Sequence, residues 1–329
     1  MVTTQWSQNG FYDDATPNQQ LTGCVATALA QFLRYHAYPE QGVGQNTYQY
    51  PDQDQITVDY ANAQYQWHQM PDQLTQSNQQ VAQLMYHAGT AVNTKYGSQV
   101  SLAPMRYLPN ALEKHFDYVT NGFEYVRDYL PEQWQNLILD ELKQNRIVLL
   151  TGHSADQRIG HAWVVDGYDG QGYYHMNWGW GGRMNGYFRL TEPNPRPDYN
   201  FNQQMAMVRG APAQDLQHIP FCQGNQYFTQ DQGQITDGSQ NWNYRVNSQC
   251  KFVIQPQSGA QQITLDFTEF NTEHGYDFVT VYDGNTQIGQ WSGSSLPQSV
   301  TATSGQMTIQ FETDEVVTKG GFQAQYYVR

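Results

Sequence analysis

The chain has 329 residues, 39% of them hydrophobic, enough to bury at least one large core and, at this length, to favour two domains. Sixteen Lys+Arg against 30 Asp+Glu leave a net charge of -14, which repels phosphate backbones and argues against nucleic-acid binding; residues 222–329 alone carry 10 acidic and 4 basic side chains, so neither half has a basic footprint. No run approaches the roughly 18 apolar residues of a membrane helix, so no membrane span is expected.

The opening MVTTQWSQNG lacks the basic and then apolar lead of a signal peptide, although an export signal is removed from a mature chain. Apolar residues at three- and four-residue spacing predict helices over 24–37, 81–97, 105–116 and 132–145. From residue 146 the period changes. RIVLLTG, HAWVVDGY, GYYHMNWGW and GYFRL are short β-branched and aromatic runs punctuated by Gly and Asp-Gly, the pattern of an antiparallel sheet, with MAMVRG as a last strand. Residues 1–210 therefore read as an α+β domain and 211–221, APAQDLQHIPF, as a linker. Residues 222–329 alternate apolar and polar positions between turn signals, which suits an all-β sandwich.

The first helix opens on a cysteine. In TGCVATALAQFLRYHAYP, Val25, Ala28, Leu29, Phe32 and Leu33 share one face, Thr22 is the expected N-cap and Pro39 stops the run. Cys24 thus lies where unpaired N–H groups and the helix dipole favour a thiolate, although a lone cysteine is also commonly a buried, inert one. A nucleophilic thiol needs an imidazole within reach. His36, 12 residues along the same helix, is roughly 18 Å away. His68, His87, His115 and His218 read as surface or helix-flank residues, whereas His153 and His175 lie near the expected sheet. His161 is the strongest partner, since it starts a strand whose return carries Asn177; a turn about 169–172 brings Asn177 opposite residue 163 or 164, where its amide could orient the imidazole. His161 follows Cys24 by 137 residues, inside the window of about 130–150 for papain-like proteases.

TGCVATALAQFLRYHAYP and GHAWVVDGYDGQGYYHMNWGWGGRMNGYFRL, with TTQWSQNGFYDDATP and VAQLMYHAGTAVNTKYG, resemble the streptopain family of secreted bacterial cysteine proteases over roughly residues 3–209. The resemblance implies a papain-like catalytic domain in which Cys24 is the nucleophile, His161 the general base, Asn177 the orienting amide and Gln8 an oxyanion-hole donor, with Trp178 and Trp180 shielding the His161–Asn177 contact and walling the cleft. It implies protein or peptide substrates, no cofactor for catalysis and an extracellular location. The CGSCW signature of plant and lysosomal papains is absent, and the family's inhibitory pro-segment does not precede residue 1, so the chain reads as a mature form.

In an exported protein, Cys222 and Cys250, 28 residues apart in one β-patterned domain, are expected to pair. GQITDGSQNWNYRVNSQCKFVI, ITLDFTEFNTEHGYDFVTVYDG and MTIQFETDEVVTKGGFQAQYYV are similar to a CUB domain over 222–329, without the second disulfide of many animal examples. That resemblance makes Glu273, Asp277 and Asp314 candidate ligands of a structural Ca²⁺, hard oxygen donors on loops; the alternative is ordinary solvated acids. Trp242, Tyr276 and Trp291 would form a protein- or glycan-binding face or simply pack. The leading expectation is a cysteine endopeptidase with a binding module. An acyl transferase using the same Cys-His pair, and a non-catalytic adhesion protein on a papain-like scaffold, are the alternatives.

Overall fold

The computed structural model describes residues 1–156, 159–216, 219, 221–240, 242–315 and 317–328; His218 lies outside them. The chain divides into two units, Met1–Val119 with Phe123–Ala213, and Thr120–Gly122 with Gln214–Arg329.

In the first unit, helix α1 spans Cys24–His36. Its N-cap is Gly23 and not Thr22: Gly23 takes φ 86°, a left-handed value that only glycine adopts cheaply, and so turns the chain straight into the helix at Cys24. The Thr22 hydroxyl is used elsewhere, 2.9 Å from Thr27 Oγ1 and 3.3 Å from the Gln8 carbonyl. Helix α2, Gln79–Ala91, is capped by Asn78, whose side chain accepts from the Val81 amide at 3.0 Å. It ends six residues short of the expected 97 because Asn93 turns left-handed (φ 52°) and Lys95 pairs in a bridge with Leu102. A single 3₁₀ turn, Met105–Tyr107, leads into α3, Leu108–His115, and Pro131 opens α4, Pro131–Lys143. His87 and His115, expected at the surface, are buried instead, with their rings 5.5 and 4.3 Å from Tyr60.

The strands up to residue 212 are β1 Gln45–Tyr48, β2 Ile56–Asp59, β3 Tyr118–Thr120, β4 Glu124–Tyr125, β5 Val148–His153, β6 Gly160–Tyr168, β7 Tyr174–Asn177, β8 Gly186–Phe188, β9 Gln203–Val208 and β10 Gly210–Pro212, all in the first unit but for Thr120 at the end of β3. Six form an antiparallel sheet in the order β4-β9-β5-β6-β7-β8. Strand alternation serves two cores at once. Leu149, Ala162 and Val164 pack with α1 residues such as Val25, Leu29 and Phe32, whereas Val148, Leu150, Trp163 and Val165 pack with Trp134 and Ile138 of α4. The stretch read as a linker from 211 starts inside a buried strand, β10, and continues as a 3₁₀ turn, Ala213–Leu216.

The second unit is a sandwich of β11 Gly224–Phe228, β12 Gln232–Thr236, β13 Gln249–Ile254, β14 Ile263–Asn271, β15 Phe278–Asp283, β16 Thr286–Trp291, β17 Val300–Ala302, β18 Met307–Glu312 and β19 Gly321–Val328. A five-stranded sheet, β11-β13-β18-β15-β16, faces a four-stranded one, β12-β19-β14-β17. Phe252, Leu265, Val281, Ile309 and Phe322 fill the space between them. Cys222 and Cys250 are disulfide-bonded, a closure of 28 residues that contributes about 3–4 kcal/mol on the chain-entropy model.

Candidate active site

Cys24 is a half-buried free cysteine at the first residue of α1, which packs on β6. The backbone of Ala162, the neighbour of His161 on β6, lies within hydrogen-bond reach of the thiol. Cys24, His161 and Gln8 all line one cleft of about 500 Å³, whose other walls include Val100, Met105, Phe123 and His153. Gln8 is held there through its backbone, since its carbonyl accepts from the Thr22 amide at 2.9 Å.

Burial dominates the electrostatics of the pair. It pushes the Cys24 thiol up, against the opposing pull of the Ala162 and Val25 backbone, and pushes His161 down to about 4, against the bond to Trp178. Burial therefore opposes the thiolate that the helix terminus was expected to favour, and it favours the neutral imidazole.

His161 is 4% exposed and enclosed by aromatic rings, with Trp180 at 4.8 Å, Phe201 at 5.1 Å, Trp178 at 6.0 Å and Trp163 at 6.2 Å. Its Nε2 donates to the Trp178 carbonyl at 3.0 Å. A neutral ring that carries its proton on Nε2 has its lone pair on Nδ1, the tautomer a base needs.

The expected contact between the Asn177 amide and the ring is replaced by a different arrangement. Asn177 faces Val164 across β6–β7, within the expected register, but its Nδ2 donates to the Thr4 carbonyl at 2.8 Å. Its Oδ1 accepts from Gln31 Nε2 at 3.3 Å and from the Gly179 amide at 3.1 Å, and Gln31 in turn accepts from Thr4 Oγ1 at 2.9 Å. Asn177 thus fixes the turn that carries the Trp178 carbonyl. Sequence reasoning missed Thr4 and Gln31; the available signal was a glutamine, fully buried in the structure, in the middle of an otherwise apolar helix. Trp180 walls an adjoining cavity, whereas Trp178 is a core residue against His161. His175 sits elsewhere, 2.5 Å from Asp166, and His153 lines the cleft with its Nδ1 buried and unpartnered.

In the second unit Glu273, Asp277 and Asp314 converge, one carboxylate oxygen from each lying within 4.8 Å of the others. A tight turn, with the Asp277 amide donating to the Glu273 carbonyl at 3.2 Å, brings the first two together. Asp277 accepts from Tyr244 Oη at 2.5 Å and from the Asp314 amide at 2.7 Å. Glu273 Oε2 is buried without a partner, and burial together with the Asp314 and Asp277 charges pushes this carboxyl up to about 7. A cation would satisfy that oxygen and relieve the repulsion, so the residues fit a hard metal ion. Of the three aromatic candidates, Tyr276 is exposed, and Trp291 packs against the core 5.5 Å from Phe267.

An antiparallel sheet with a cysteine helix on one face and a histidine on its second central strand is a papain-like α+β unit. Its fold is that of the active wild-type interpain A cysteine protease of Prevotella intermedia, at a TM-score of 0.59 and 33% identity over 63% of this chain and 92% of that one. The chain belongs to the peptidase C10 family, whose model matches residues 6–188, and the CUB domain model matches residues 222–326. Streptopain of Streptococcus pyogenes is 35% identical over 187 residues, 53% of this chain and 46% of streptopain. The thiol protease/hemagglutinin PrtT of Porphyromonas gingivalis is 34% identical over 205 residues, 58% of this chain and 23% of PrtT. The matched regions span less than half the length of these curated relatives.

Proposed function

We propose that this chain is a secreted cysteine endopeptidase that cleaves extracellular proteins, with its CUB unit serving as a binding or targeting module. The observation that carries the reading is one cleft holding Cys24, Gln8 and an imidazole whose ε nitrogen is committed to a carbonyl. His161 Nδ1 takes the thiol proton as Cys24 Sγ attacks the peptide carbonyl carbon, and the oxyanion is held by the Gln8 side-chain N–H and the Cys24 backbone N–H. When the C–N bond breaks, the imidazolium returns that proton to the leaving amine. Water then attacks the thioester, giving its proton to His161, and the C–S bond breaks to release the acid and regenerate the thiol. Asn177 is a positioning residue acting through the 177–179 turn. Export is supported by the Cys222–Cys250 disulfide, a bond of oxidising compartments.

Cleavage of casein should disappear in Cys24→Ala and fall by about 10²-fold or more in His161→Ala, with iodoacetamide blocking the wild type stoichiometrically. Full activity in Cys24→Ala would remove Cys24 as the nucleophile, and a wild type that cleaves nothing and resists alkylation would move the reading to a binding protein on a papain-like scaffold.

Glu273, Asp277 and Asp314 hold a structural Ca²⁺, which ties the 273–277 turn to the 314 loop. Chelation should lower the melting temperature of the second unit in the full chain, and added Ca²⁺ at 100 times its dissociation constant should restore about 2.7 kcal/mol. A midpoint indifferent to chelator and to Ca²⁺ would remove the metal from the reading.

A further inference from the structure

Beside the cleft that holds Cys24 lies a second cavity of about 350 Å³, and Gln8 lines both. Its other walls are Trp180, Tyr199, Arg183, Arg196 and Leu21, with small polar contributions from Ser7 and Asn9. The turn after β7 builds it: the Arg183 amide donates to the Trp180 carbonyl at 3.3 Å, and the Gly181 amide to the Trp6 carbonyl at 2.9 Å, which fixes the Trp180–Arg183 corner on the N-terminal segment. Arg196 arrives from the 190s loop, its guanidinium 5.9 Å from the ring centres of both Trp180 and Tyr199. Both arginines are exposed, and neither makes an ion pair among the described residues. No carboxylate lines the cavity. In a chain of net charge -14, two unpaired guanidinium groups over one small hollow are a local reversal of sign.

The chemistry decides which half of a substrate enters. The leaving amine must lie against His161 to receive its proton, and Trp180, the ring nearest to His161 at 4.8 Å, lines this cavity and not the cleft of Cys24. The acyl half therefore takes the cleft with Val100 and Met105, and the leaving half runs over Trp180. Resting on the peptidase reading above, we propose that Arg183 and Arg196 determine specificity by binding a carboxylate on the leaving side of the scissile bond, within the first few residues. Guanidinium groups recognise carboxylates through paired N–H donors, and Trp180 and Tyr199 offer flat faces for the intervening peptide. An acidic side chain and the carboxyl terminus of a short peptide supply the same chemistry.

The test compares peptides identical on the acyl side that carry Glu or Gln two residues after the scissile bond, each with a free or an amidated C-terminus. With wild type at low salt, kcat/KM should favour Glu over Gln by about three- to fivefold, and the preference should collapse at about 0.5 M salt. In the double variant Arg183→Gln/Arg196→Gln the Glu/Gln ratio should fall to one, and charge reversal to Glu at both positions should invert it. A preference carried by the free terminus alone assigns the site to chain ends, and one carried by Glu in amidated peptides assigns it to side chains; either supports the proposal. A ratio that is the same in wild type and both variants overturns it. Calorimetric titration of Cys24→Ala with the two leaving-side peptides gives the same comparison without turnover, and equal affinity for Glu and Gln peptides overturns the proposal even if no peptide is hydrolysed. A wild type that hydrolyses no coumarin amide or peptide, yet binds the acidic peptide preferentially, would instead defeat the peptidase reading and leave the carboxylate site standing.

Discussion

The side chain of Asn177 is buried and hydrogen-bonded to Thr4, Gln31 and Gly179. The hairpin count locates it near the start of β6, but the imidazole of His161 bonds to a backbone carbonyl, and the amide of Asn177 spends its capacity on Thr4, Gln31 and Gly179. Removing that amide leaves buried partners unsatisfied, so Asn177→Ala should cost about 1–3 kcal/mol of stability, read as a lowered denaturation midpoint. Activity should decline with it, and kcat should recover at lower temperature as the turn re-forms. An unchanged midpoint combined with a kcat loss of 10²-fold or more would show instead that the amide acts on the ring directly. Nothing in the sequence could separate these cases, because a carbonyl acceptor belongs to every residue alike. Cys24 is different: a glycine followed by a cysteine at the head of an apolar helical stripe was legible, and only its ionisation was not, since burial depends on how β6 closes over it.

At the level of elements, β5 and β6 were legible because their runs of Val, Leu, Ala and Trp are buried on both faces, and β7 because it returns after a Gly-rich turn, whereas β1 was not, because it has no buried side chain and its QNTY looks like loop. The close approach that shapes the site lies in β5, where Gly152 pairs with His161 across β5–β6. A Cβ at Gly152 would come within 2.0 Å of the Phe201 carbonyl oxygen, and backbone cannot step aside as a side-chain tip can. The backbone at Phe201, which leads into β9 beside β5, would have to move, and Phe201 is one of the rings enclosing His161. Gly152→Ala should therefore destabilise the first unit by about 2 kcal/mol or more and lower peptidase activity, while the unfolding midpoint of the second unit stays where it was. Wild-type stability in this variant would mean that β5 and the backbone at Phe201 can separate without cost.

Across the whole molecule, the two units carry buried titratable groups of opposite sense. In the first, burial lowers His87 and His161 to about 4, with the Tyr65 hydroxyl 3.0 Å from His87 Nδ1 and the Trp178 carbonyl on His161. An unfolded chain holds histidine near 6.5, so between 6.5 and 4 it binds more protons than the folded one. The stability these groups contribute is fully present above about 6.5 and is lost as pH falls toward 4, about 2 kcal/mol per histidine by pH 5. In the second unit, Asp237 is 3% exposed with Oδ2 unpartnered, and burial raises its carboxyl to about 6. A raised carboxyl gives the reverse slope: the folded form takes up the proton first, so this unit gains on acidification from pH 7 to 5. Calorimetry of the full chain, read with Ca²⁺ held constant, should show the midpoint of the first unit falling over that interval while that of the second holds or rises. Replacement of Asp237 by Asn should reduce the second response, leaving the share of Glu273 and Asp277, whose carboxyls are also raised, and should leave the first unchanged. A common fall of both midpoints would mean that the buried acid of the sandwich is already protonated at neutrality or is hydrated in solution.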